Sequence, residues 1–155
     1  MSENKFKPKP GQTDYTNLRK APVINCVIKH QDKILIVQRS SKMIFYPDYW
    51  NGVSGFIDDS LSIKAKIKQE VKEEVDIEPE DIINISEGQI FEQEEPKYNK
   101  TWVVHPFLVE VKTNRIHLDW EAQDYKWLKP EEIKSFKLIP GFDKVLQKLF
   151  NNENK

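Results

Sequence analysis

The sequence is short of cysteine, of long apolar runs and of net charge, and each shortage excludes something. With Cys26 as its one cysteine, the chain can form no internal disulfide, which suits a reducing compartment, so a cytoplasmic location is expected. No apolar run approaches the roughly 20 residues that a membrane-spanning helix requires. The opening stretch MSENKFKPKPGQTDY has charges but no apolar centre, so it does not read as a secretory leader. A formal net charge of -1 leaves no global basic field to attract nucleic acid or an anionic membrane. Internal repeats and low-complexity segments are missing too.

What is present fits one compact domain: 155 residues, 38% of them hydrophobic. Residues 1–20 are rich in lysine and proline with little to bury, and read as a loosely ordered basic arm. The domain is expected over 21–150, with a disordered tail over 151–155. APVINCVIKH and KILIVQRS, separated by a polar Gln-Asp, suggest a β-hairpin. SKMIFYPDYWNG is irregular but rich in aromatics, VSGF is a short strand, and a helix is expected from Ser62 to Val75. DIINISEGQIFEQ and TWVVHPFLVEV read as strands around a polar loop. RIHLDWEAQDYKWL supplies a strand pair or a strand and a loop. KPEEIKSF is a short helix with proline in its first turn, and GFDKVLQKLF an amphipathic one. Strands mixed with a few helices imply an α+β or layered α/β domain.

The chemistry concentrates in the helix. At 100° per residue, Glu70, Glu73 and Glu74 fall within roughly a 100° arc, beside an apolar stripe of Ile67, Val71 and Val75 that faces the core. Lys68 and Lys72 point largely away. Glutamates at i and i+4 repel unless positive charge lies between them, and a hard divalent cation bound through carboxylate and carbonyl oxygens would supply it. A solvated, salt-bridged face is the competing reading of the same run.

From Gly55 to Ile77 the sequence resembles the Nudix box, G-x5-E-x7-R-E-U-x-E-E-x-G-U with U a bulky aliphatic. Gly55, Glu70, Val71, Glu73, Glu74 and Ile77 match it, whereas Leu61, Gln69 and Asp76 stand where the first glutamate, the arginine and the second glycine belong. The likeness extends over roughly residues 21 to 150: ILIVQRS looks like the family's strand ending in arginine, YWNGVSGFI like the approach to the box, and LDWEAQDYKWLKPEEI like the later strand and short helix. It implies a Nudix-type α/β/α sandwich with a mixed β-sheet. It further implies Mg2+, with Mn2+ as a substitute, held by Gly55 (through its carbonyl), Glu70, Glu73, Glu74 and Glu121.

The implied reaction is water attack on phosphorus in a diphosphate bond of a nucleoside triphosphate, pterin triphosphate or other nucleoside-diphosphate-linked small molecule. Glu73, Glu74 and Glu121 are the expected catalytic acids, with the general base left between Glu74 and Glu121. Arg39 is a candidate for a phosphate, and Tyr46 and Trp50 for a planar group; surface exposure and packing are their respective competing roles. Trp102 and His105 are expected to pack, and Trp127 to anchor the helix that follows it. The alternative is a non-catalytic Nudix-fold module that binds a nucleotide or a protein. Isopentenyl-diphosphate-isomerase chemistry ranks lower, because Cys26 lies in an apolar strand. No membrane or nucleic-acid partner is expected. A homodimer is common in the family, though no residue here fixes an interface.

Overall fold

The computed structural model describes residues 18–58 and 60–150. The expected arm therefore lies outside the described residues except for Leu18, Arg19 and Lys20, as does the expected tail at 151–155.

Ile24 to Ile28 are all buried within strand β1 (Lys20–His30). A central strand covered on both faces reads as an unbroken apolar run rather than as alternation. The chain turns at Gln31, whose φ of 57° is left-handed, into β2 (Lys33–Arg39), forming the expected hairpin. Beyond this turn the two strands diverge, and the aromatic-rich loop returns between them: β3 (Trp50–Asn51) pairs with β2, and β4 (Val53–Phe56) pairs with β1.

The segment read as one strand at 81–93 is two, β5 (Ile82–Glu87) and β6 (Phe91–Glu95). Both run antiparallel to β7 (Lys100–Val111), β5 along its second half and β6 along its first. The change of partner comes next to Pro106, which has no N–H to give a neighbouring strand; its carbonyl accepts from Gly88 N at 2.9 Å in the intervening turn. On its other side β7 runs parallel to β1, from Lys20 facing Thr101 to Lys29 facing Glu110. Strand β8 (Ala122–Leu128) pairs antiparallel with β2, so RIHLDWEAQDYKWL is a loop and a strand.

Alternation along β1 separates two cores. Ile24, Cys26 and Ile28 meet Ile67, Val71 and Val75 of helix α1 (Ile63–Val75). Ala21 and Val27 face the other way, toward Phe142 and Val145 of helix α2 (Phe142–Phe150) and toward Tyr46, Trp50 and Trp102. The result is the expected mixed sheet between helical layers. Between β8 and α2, KPEEIKSF forms a 3-10 helix, Pro130–Ser135, with proline at its start. Trp127 does not anchor that helix: its indole N–H donates to Asn114 O and its ring meets His30 edge-on. Among the described residues no helix is long and apolar enough to cross a membrane.

Phe142 is the largest side chain of α2 that is fully buried. Phe142→Ala is expected to lose about 3–5 kcal/mol through lost burial and the cavity left behind, measured by urea denaturation.

Candidate active site

Helix α1 begins where the sequence places it. Ser62 caps it, its Oγ accepting from Ala65 N at 3.2 Å. At the other end Asp76 adopts the left-handed conformation, φ 62° and ψ 43°, and its N–H donates to Lys72 O. Aspartate thus takes the turn that the box pattern gives to glycine, with Lys72 Nζ 2.5 Å from its carboxylate. Lys72 is engaged there and with Glu78, away from the other acids.

The three box glutamates differ in setting. Glu73 is exposed, Glu70 half-buried and Glu74 buried. Glu70 closes over the Gly55 backbone: a Cβ at Gly55 would lie 2.6 Å from Glu70 Cδ and 2.8 Å from Oε1. A side chain at Gly55 would therefore displace the Glu70 carboxylate, the movable end of a flexible side chain. Gly55→Ala is expected to push Glu70 aside at a cost of about 1 kcal/mol or less. In a Glu70→Ala background it is expected to be nearly neutral, a difference that a thermal-denaturation cycle would resolve.

The loop that carries Glu121 is docked on the helix by backbone hydrogen bonds from residues that precede it. His117 N donates to Val75 O at 3.1 Å and Asp119 N to Glu74 O at 3.2 Å, which docks the loop on the C-terminal turn of α1. Ser40 N then donates to Glu121 O at 2.8 Å, tying the same loop to the end of β2. Asp119 accepts Glu121 N at 2.9 Å and adds a carboxylate that the sequence analysis did not single out. Alternation along β2 puts Arg39 on the α1 face with Leu35 and Val37, and its Nε donates to Phe45 O at 2.9 Å.

Electrostatics reports how crowded these acids are. Burial, then the charges of Glu121 and Glu73, push Glu70 up to about 8, with Lys66 acting in the opposite direction. Glu121 is pushed up to about 7 by burial and by Asp119, against the pull of Arg39. Glu74 lies well above the usual carboxylate range, from burial first and then from Glu121 and Glu70, and again Arg39 opposes. Burial also lowers Arg39 from its ordinary value, while Glu74 and Glu121 support its charge. The donors are carboxylates with the Gly55 backbone beside them, the oxygen chemistry that hard divalent cations prefer, and they carry more negative charge than Arg39 offsets. By donor type and charge they fit such a cation. Among the described residues, however, no three His, Cys, Asp or Glu side chains already converge on one metal position.

Of the predicted residues, the structure brings Gly55, Glu70, Glu73, Glu74, Glu121 and Arg39 to one region. It does not bring Tyr46 and Trp50 there. Both are buried in the α2-side core: Tyr46 Oη donates to Glu95 and accepts from Trp102 Nε1, and Trp50 packs edge-on against Phe136. Trp102 packs in the same cluster. Cys26 lies beneath the acids, fully buried, and burial together with Glu70 and Glu74 pushes its thiol far up, so it is held neutral and un-nucleophilic. An ion pair missed in sequence joins Lys66 Nζ to Asp58 Oδ1 at 3.0 Å, with both groups buried. A lysine among lysines on a charged helix gave no signal of this.

A family model described as NUDIX domain matches residues 19–149. No curated protein is similar enough to count as a match. Among solved structures, an Ap4A hydrolase of C. elegans in a binary complex is similar at 19% identity and a TM-score of 0.68, covering 86% of this chain and 98% of that one. The NUDIX domain of Shewanella oneidensis NrtR, complexed with ADP ribose, has a TM-score of 0.72 at 16% identity, covering 86% and 88% of the two chains. A MutT NUDIX hydrolase from Burkholderia pseudomallei also reaches 0.72, at 14% identity, covering 84% and 98%.

Proposed function

The chain belongs to the NUDIX domain family, and from that premise we propose a divalent-metal-dependent pyrophosphohydrolase. Its substrate in this reading is a small molecule with a diphosphate linkage, such as a nucleoside or pterin triphosphate or a nucleoside-diphosphate conjugate. One observation carries the reading: the α1 carboxylates and Glu121 lie together with a deficit of positive charge.

Glu70, Glu73, Glu74, Glu121 and the Gly55 carbonyl are the groups that would hold Mg2+ or Mn2+. When bound, the cation would neutralise phosphate oxygens and acidify a water. Backbone bonds from Asp119 to α1 and from Ser40 to Glu121 fix the Glu121 backbone between α1 and the end of β2 before substrate arrives. Glu121, raised toward neutrality, is suited to accept the proton of an attacking water, and Glu74 is the other acid placed for that role. Arg39 stands as the counter-charge to Glu74 and Glu121 and, in the same reading, toward a substrate phosphate. In contrast, Tyr46 and Trp50 would serve a planar group only by shaping the loop behind the site, since their side chains are packed.

A second reading, a binding module without turnover, draws on two observations. Leu61 and Gln69 replace an acid and an arginine of the box, and no three ligating side chains converge among the described residues. One experiment separates the two readings. Purified protein is given Mg2+ with nucleoside triphosphates, dihydroneopterin triphosphate, dinucleoside polyphosphates and ADP-ribose, next to a Glu73→Gln/Glu74→Gln variant. Phosphate or pyrophosphate release that needs Mg2+ and vanishes in the variant is the expected result. Equal inertness of both proteins, with no Mg2+ binding by calorimetry, would leave the binding module as the better reading.

A further inference from the structure

The buried pair Asp58–Lys66 takes no part in the chemistry just described, yet it lies beside it. Lys66 is 2% exposed and Asp58 5%, and their charged atoms are 3.0 Å apart. Burying two charges is costly, and attraction between them offsets that cost only with good geometry and further hydrogen bonds. Lys66 has such a bond: its Nζ also donates to Gln69 Oε1 at 3.3 Å.

The place of this pair in the chain gives it meaning. Asp58 follows Gly55 by three residues in the loop, and Lys66 precedes Glu70 by four on the helix, one turn away on the same face. Gly55 and Glu70 are in close approach, with the carboxylate occupying the space where a Gly55 side chain would be. A tie from Asp58 to Lys66 therefore spans the same loop-helix junction whose spacing sets that approach. Leu61 and Gln69, which stand in the box positions of an acid and an arginine, form no ion pair with each other. Gln69 instead accepts from Lys66, and the ion pair at positions 58 and 66 ties the junction.

The geometry points to Asp58 and Lys66 as positioning residues that set where Glu70 and the Gly55 carbonyl stand toward a divalent cation. This rests on the metal-dependent reading above.

The test reads Mn2+ affinity of the full-length protein by electron paramagnetic resonance, beside its metal-free thermal midpoint. Three variants are compared with wild type: Asp58→Asn; Asp58→Leu/Lys66→Met; and the latter carrying Leu61→Glu and Gln69→Arg as well. Replacing the whole pair by apolar residues is expected to keep the midpoint close to wild type, whereas Mn2+ binding weakens roughly 10- to 100-fold. Adding Leu61→Glu and Gln69→Arg is expected to recover most of that affinity, which a purely structural role would not do. Asp58→Asn removes the charge opposite buried Lys66, so it is expected to lower the midpoint as well as to weaken Mn2+ binding. Wild-type affinity in both Asp58→Asn and the apolar double variant would overturn the inference alone. A wild type that binds no Mn2+ would overturn the metal-dependent reading and this inference with it.

Discussion

Glu74→Gln is expected to remove metal-dependent turnover by a factor of about 10³ or more while raising the thermal midpoint of the metal-free protein. The two effects have one cause. Glu74 is buried beside Glu121, Glu70 and Asp119, and Arg39 opposes their effect on it. Glutamine keeps the shape and replaces a carboxyl that must stay protonated against its tendency to ionise, at a gain of about 1 kcal/mol or a few degrees for a domain of this size. The same substitution removes an oxygen ligand and a candidate base. Damage to folding would lower activity and midpoint together, so the opposite signs identify a functional acid. Hydrolysis of the best substrate and a melting curve in EDTA measure both. A lower midpoint would instead make Glu74 a structural partner of Arg39.

The second large effect is a pH dependence that a divalent cation reverses. Glu70 is raised from the usual value to about 8 and Glu121 to about 7 in the folded protein. Between the unfolded value near 4.5 and these folded values, the folded state holds protons that the unfolded state has lost. Stability of the metal-free protein therefore falls as pH rises through that window. Below it the carboxyls are protonated in both states and contribute no slope. We expect a loss of about 2–4 kcal/mol between roughly pH 5 and pH 8, or roughly 5–10 °C in midpoint. A cation that binds the ionised acids opposes this, so saturating Mg2+ should raise the midpoint far more at pH 8 than at pH 5. Differential scanning fluorimetry across that range, with EDTA or Mg2+, checks both slopes. A metal-free midpoint that is flat or rising over the window would contradict the crowding of the acids.

Much of this site was legible in the sequence because it is local. A serine cap, an apolar stripe at Ile67, Val71 and Val75 and the spacing of Glu70, Glu73 and Glu74 are all properties of one helix, and the helix forms as they imply. Gly55 was legible from pattern, and the structure adds the reason, the Glu70 carboxylate against its backbone. What stayed hidden depends on contacts between distant segments. Lys66 resembles its exposed neighbour Lys68 in sequence, and only the return of the loop at Asp58 makes it a buried cation. Asp119 joins the acids because a loop docks on α1, which no periodicity records. Tyr46 and Trp50 sit in a segment that reads as irregular, and both are candidates for a planar group or for packing. That segment threads between β1 and β2, and the large apolar area of its rings is covered on the α2 side. The division of 81–93 into two strands depends on Pro106, a residue of their partner.

The parallel pairing of β1 with β7 also governs the order in which this molecule can be made. Its partners are about 80 residues apart, and α1 with its glutamates lies inside the loop that the pairing closes. Closing so long a loop adds little to the equilibrium cost but places the protein among domains that fold through distant contacts, on the slower side of the folding range. During synthesis β1 is complete long before its parallel neighbour exists. Until Thr101–Glu110 arrive, one side of β1 is an open row of backbone donors and acceptors next to Val27 and Ile28, a template for pairing with other chains. Fragments that end before β7 should therefore aggregate rather than persist as smaller versions of the domain.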